Sequence, residues 1–197
     1  MLKSEPATDI TREAIALAEM LGKLKKLKRT GWINHSIPLP ESVADHSYGV
    51  GLLALLLGKY FNVDTDKAVR MALLHDLGEA VIGDIITQRG DNVLSNESDK
   101  LQTERSALLS LLKDIGSEDY IELFDEYLEK QTPEAQFIHQ LDKLEMAFQA
   151  HQYERDQGIQ LEEFMVNAKK HITNDTLRAI FDTTLAERYP PNKKHLR

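Results

Sequence analysis

Apolar residues recur at three- and four-residue spacing along nearly the whole chain, and the apolar/polar alternation of a half-buried strand is missing. The pattern predicts helices over Thr8 to Lys28, from near Glu41-Ser42 to Tyr60, and from Asp64 or Thr65 to about Gly78. Further helices are expected over Asp99 to Asp114, Ser117 to Lys130 and Pro133 to Arg155, with two more in the C-terminal part. Gly31 and Pro38 to Pro40 separate the first from the second, Asp64 and Thr65 are the candidate caps of the third, and Thr132-Pro133 suits a helix start. Gly83 to Ser98, rich in Gly, Asp, Asn and Ser, reads as a loop of the length usually kept for function. No strand, repeat or dividing linker is predicted. The expectation is an all-α chain forming one compact helical bundle over residues 1–197.

Several inward positions carry polar residues. On the third helix the apolar stripe reads Val69, Ala72, Leu73, Asp76, Leu77, Ala80, which sets a carboxylate in an apolar face. An unpaired charge there costs several kcal/mol on the order used for buried ions, so Asp76 is expected to be paired, protonated or bound to a cation. His46 shares one side of the second helix with Val43, Val50, Leu53 or Ala54, and Leu57. Asp142 and Glu145 lie close to the stripe Phe137, Leu141, Leu144, Phe148 of the sixth. For any one of these the competing reading is a hydrogen-bonded core histidine or a buried ion pair. His46, His75, Asp76 and Asp142 together favour a cation site, and two imidazoles with two carboxylates suit Mn, Fe, Co, Zn or Mg.

Composition narrows the chemistry. The 197 residues are 42% hydrophobic and 28% charged, a globular balance. With 24 Lys and Arg against 32 Asp and Glu the net charge is −8, which opposes polynucleotide binding but admits a small phosphorylated ligand. The absence of cysteine excludes disulfides, thiolate ligands and a Cys nucleophile. The N-terminus lacks the pattern of a secretory signal. The apolar run from Val50 to Gly58 falls short of the ~18 residues a membrane span needs. A soluble, cytoplasmic protein is expected.

The dipeptide His75-Asp76 within Leu73-Leu74-His75-Asp76-Leu77-Gly78-Glu79, with Ala44-Asp45-His46 upstream and Leu141-Asp142-Lys143-Leu144-Glu145 downstream, resembles the H…HD…D signature of HD-domain phosphohydrolases. Within that superfamily the chain is similar to the 5′-deoxynucleotidases and their HD-domain-containing relatives, over roughly residues 21–154. The likeness rests also on Arg29-Thr30-Gly31-Trp32, Pro40-Glu41-Ser42-Val43, Gly83-Asp84-Ile85 and Gln149-Ala150; the C-terminal helices over 155–189 add little to it. It implies a divalent metal ion on His46, His75, Asp76 and Asp142, with Glu79 and Asp84 at the reacting water and phosphate, and a homodimer. Family members often carry a proline soon after the Gly-Asp pair, where this chain has Ile85-Ile86-Thr87.

Such a metal would supply both a water with pKa lowered towards ~7 and charge neutralisation at phosphorus. Glu79 is a candidate to orient a ligand or accept a proton, against a solvated helix end; Asp84 is a candidate acid or base, against an Asx turn. Arg29 suits a phosphate and Trp32 a flat base, with ordinary core as the competing reading of Trp32, and Thr87 is a further substrate contact. His139 is the main rival ligand; His35, His151, His171 and His195 have no comparable setting. The function expected is phosphate release from a deoxynucleoside 5′-monophosphate. The alternatives are hydrolysis of a nucleoside triphosphate, cyclic nucleotide or guanosine polyphosphate, or a catalytically silent metal- or nucleotide-binding module.

Overall fold

A computed structural model of the chain describes residues 6–85, 88–89, 92–93, 97–115, 117–118 and 120–188. Ten α-helices are described: α1 Pro6–Lys26, α2 Thr30–Asn34, α3 Val43–Leu57, α4 Thr65–Leu74, α5 Glu79–Ile82, α6 Glu97–Asp114, α7 Tyr120–Glu129, α8 Pro133–Gln157, α9 Glu162–His171 and α10 Asp175–Arg188. A 3-10 turn, Gly58–Tyr60, extends α3. The expected loop after Gly83 contains one short antiparallel pair, β1 Gln88–Arg89 with β2 Asn92–Val93, in which Gln88 faces Val93. Pairs of two residues do not change the all-α class, but the expectation of no strand is corrected there. Among the described residues no helix is long and apolar enough to cross a membrane. The chain forms two compact units, residues 1–138 and 139–197, and α8 is one unbroken helix through the boundary.

In the first unit α3 packs along α4, α1 against α3 and α5, and α6 against α5 and α7. Val43, His46, Val50, Gly51 and Ala54 form the buried face of α3, much as its periodicity predicts. On α4 the buried face is Ala68, Met71 and Ala72, while Leu73 is 53% exposed. The expected stripe through Val69, Leu73 and Asp76 is therefore out of phase. The helix stops at Leu74, and His75 to Gly78 form a turn closed by the Leu77 N–H on the Leu74 carbonyl and the Glu79 N–H on that of Asp76. The buried polar side chain that follows the α4 face is His75; Asp76 comes out of the turn.

Gly78 answers a close approach: a Cβ there would lie 2.8 Å from the Glu104 carbonyl oxygen of α6, so a side chain would push α6 off the turn. At its start α8 is tied to α4, because Glu134 accepts from the Asp64 N–H and lies 3.6 Å from Lys67 Nζ. In the second unit the Asn174 side chain caps α10 by accepting from the Thr176 and Leu177 N–H groups, and the Gln140 side-chain oxygen accepts from the N–H groups of Thr173 and Asn174 just before it. Arg188, almost fully buried, holds Glu154 through two 2.6 Å hydrogen bonds.

Candidate metal centre

The first histidine is placed by a helix start. Ser42 and Asp45 form a capping box, the Asp45 N–H donating to Ser42 Oγ and the Ser42 N–H to Asp45 Oδ2. With the first turn of α3 fixed, His46 falls on the inner face beside Val43 and Val50 and is completely buried. The N–H of Val43 donates to the Leu27 carbonyl, and that of Arg29 to the Glu41 carbonyl, which pins the segment after α1 to the start of α3. Through that seam Arg29 comes to Asp76 and Trp32 to Glu41.

His75 is placed by a helix end. Its Nδ1 lies 2.6 Å from the Ala72 carbonyl oxygen, which can only accept, so Nδ1 carries a proton and Nε2 is the ring nitrogen turned toward the cluster. Tyr127 of α7 packs edge-on against the ring with centroids 5.8 Å apart. The rings of His46 and His75 sit 5.4 Å apart at 61°. One nitrogen of each lies within 4.8 Å of one of the other. Asp76 Oδ2 reaches 3.2 Å from His75 Nε2, 3.7 Å from His46 Nε2 and 3.2 Å from Arg29 Nη1. Burial pushes the Asp76 carboxyl up, yet His75, Arg29 and His46 outweigh it and hold the group well below the usual carboxylate range.

These donors fit a divalent cation. His75 Nε2 is buried and makes no hydrogen bond of acceptable geometry, although a carboxylate oxygen stands 3.2 Å away. An imidazole fixed through Nδ1 to a carbonyl, with Nε2 turned toward a carboxylate and a second imidazole, is the usual arrangement of a metal-ligating histidine. Asp142 lies in the second unit on α8, one turn beyond Ile138; it is buried, with Lys143 Nζ 2.9 Å from its Oδ2.

The first unit thus brings His46, His75, Asp76 and Arg29 into one cluster. Glu79 opens α5 and is buried at 4% exposure. Asp84 follows Gly83, whose φ of +82° turns the chain back. Its carboxylate accepts from the Thr30 N–H, and its carbonyl accepts from the Thr30 hydroxyl at 2.7 Å. Trp32 is buried at 1% exposure, and its indole N–H donates to Glu41 Oε1 at 2.8 Å. Thr87 lies outside the described residues.

Glu41 and Thr30 have clear places in this arrangement that residue-by-residue reading did not assign. One carboxylate oxygen of Glu41 lies within 4.8 Å of a His46 ring nitrogen. The only sequence signal for either was membership of the segments Arg29 to Trp32 and Pro40 to His46. Of the other histidines, His35, just after α2, points Nδ1 at the Gly31 carbonyl, and His171 points Nδ1 at the Asn167 carbonyl within α9.

A family model described as an HD domain matches residues 21–181. The chain is 37% identical over 188 residues to a Dictyostelium discoideum protein named 5′-deoxynucleotidase HDDC2, the match covering 90% of this chain and 91% of that one. It is 36% identical to the Homo sapiens protein of the same name, over 73% of this chain and 69% of that one. Among solved structures, a conserved hypothetical protein from Pyrococcus furiosus resembles it with a TM-score of 0.71 at 36% identity, covering 87% of this chain and 98% of the other.

Proposed function

The chain belongs to the HD domain family, and from that membership we propose that it is a metal-dependent phosphohydrolase, a 5′-deoxynucleotidase releasing phosphate from deoxynucleoside 5′-monophosphates. The observation that carries this reading is the buried meeting of His46, His75 and Asp76, with the Arg29 guanidinium on the Asp76 carboxylate. A cation at a site lined by imidazole and carboxylate suits metal-assisted hydrolysis of a phosphomonoester, and the chain has no cysteine for a thiolate ligand.

In this reading His46, His75 and Asp76 hold the ion, and the family membership supports Asp142 as a further ligand. When bound, the ion supplies an activated water and neutralises charge on a phosphoryl oxygen. His75 presents Nε2 because its Nδ1 proton is committed to Ala72. Arg29, beside the Asp76 carboxylate, brings its guanidinium to the phosphate. Glu79, buried at the start of α5, takes up a proton, and Asp84 serves as acid or base from its turn. Trp32 acts here by holding Glu41 near His46 rather than by stacking.

The site is also proposed to work within a homodimer in the cytoplasm. The exposed Tyr48, Leu52, Leu55 and Leu56 along α3 support self-association, which light scattering tests. The activity itself is tested by phosphate release from deoxynucleoside 5′-monophosphates with added Mn or Co. Folded protein silent with every metal and every deoxynucleotide would remove the enzyme assignment. Release from triphosphates or cyclic nucleotides alone would move the substrate within the family.

A further inference from the structure

We infer that Thr30 is a positioning residue for substrate binding, because its backbone and hydroxyl clamp the Gly83-Asp84 turn to the segment that carries Arg29. The inference rests on the phosphohydrolase reading, in which Arg29 meets the phosphate. Thr30 makes two hydrogen bonds to one residue 54 positions away: its N–H to Asp84 Oδ2 and its hydroxyl to the Asp84 carbonyl. A side chain without a hydroxyl at position 30 leaves the first bond and loses the second.

The two bonds complete a ring of connections around the His75-Asp76 turn. Arg29 Nη1 meets Asp76 Oδ2 at 3.2 Å. The Glu79 N–H donates to the Asp76 carbonyl, and the Gly83 N–H to that of Glu79. Gly83, at φ +82°, reverses the chain so that Asp84 returns to Thr30, the neighbour of Arg29. Guanidinium, the Asp76 carboxylate, buried Glu79 and Asp84 are therefore referenced to one another through short links, with the Thr30–Asp84 bonds and the Arg29–Asp76 pair both tying the turn back to the Arg29 segment. Valine matches threonine in shape and removes only the donor. Serine restores the donor and removes a methyl group.

The consequence is read in KM. A variant that is merely less stable lowers the amount of active enzyme and hence the apparent kcat, while KM of the folded fraction stays put. Loss of register between Arg29 and Asp84 weakens substrate binding in every folded molecule. Steady-state kinetics on deoxynucleoside 5′-monophosphate with Mn are expected to show KM raised about tenfold in Thr30→Val and returned to within about twofold of wild type in Thr30→Ser. Active wild type with an unchanged KM in Thr30→Val, or a Thr30→Ser as impaired as Thr30→Val, overturns the clamp and leaves the nucleotidase reading standing. Wild-type protein that is folded and hydrolyses nothing overturns both.

Discussion

His75 and Asp76 are consecutive in the chain, yet the end of α4 sends one inward along the helix face and the other around a turn, from which Oδ2 comes back to 3.2 Å from His75 Nε2. A continuous helix would separate adjacent side chains by about 100° of rotation and point them apart. The break after Leu74 is what converts a dipeptide into two donor groups facing a common point.

Asp76→Asn is expected to abolish that pairing with almost no change of volume. Metal content of the purified protein should fall well below that of wild type, and phosphate release should drop by at least about a hundredfold, as for removal of an ion-bound carboxylate. Elemental analysis beside the kinetic assay checks both. Wild-type metal content in this variant would take Asp76 out of the ligand set.

Arg29→Ala and Arg29→Lys separate charge from geometry. Both leave the histidines in place, but lysine lacks the planar fork that can hold Asp76 and a phosphate oxygen together. The expected order of kcat/KM is wild type, then Lys, then Ala, with alanine lower by roughly 10- to 100-fold. Inhibition by inorganic phosphate should weaken in the same order. Equal inhibition of all three proteins would place the phosphate elsewhere.

Gly78→Ala tests the contact between the turn and α6. The added Cβ would lie 2.8 Å from a backbone carbonyl, not from a flexible side chain, so the turn or the helix must shift. A loss of about 1–3 kcal/mol is expected from overpacking. Thermal unfolding measures it, and activity should fall as well because Glu79 is the next residue. An unchanged melting temperature would mean that α6 yields freely.

Glu154→Gln tests the second unit. Burial raises the Glu154 carboxyl, but the Arg188 hydrogen bonds and the Leu161 N–H bring it below its ordinary value. A carboxyl lowered in the folded state contributes stability that is fully present above the unfolded value of about 4.3 and is lost as pH falls through the folded value. The substitution should therefore cost roughly 2–4 kcal/mol near neutral pH. The gap to wild type should narrow below about pH 4. Denaturant unfolding at several pH values measures the gap, and a gap independent of pH would contradict the ion-pair account.

Much of the helical layout was legible because it depends on local signals. Asp64 caps α4 through the Lys67 N–H, as its place before the periodic run implies, and Pro133 opens α8. The buried face of α3 was readable because its inward residues repeat cleanly. That of α4 was not: Met71 to Leu74 are all apolar, so their pattern leaves the phase open, and extending it through residues 75–78 assumed a helix where there is a turn. Exposed Leu73 and buried Met71 and His75 are the result.

Sequence by itself determined the helical class and the residue types able to hold a cation, since periodicity, capping and donor chemistry are properties of neighbours along the chain. Only the tertiary structure decided which atoms face one another: that Asp76 meets Arg29, that Trp32 is spent on Glu41, and that Thr30 holds Asp84 from 54 residues away. Such pairings leave no local trace, because a hydrogen bond between distant segments depends on where the turns between them return the chain.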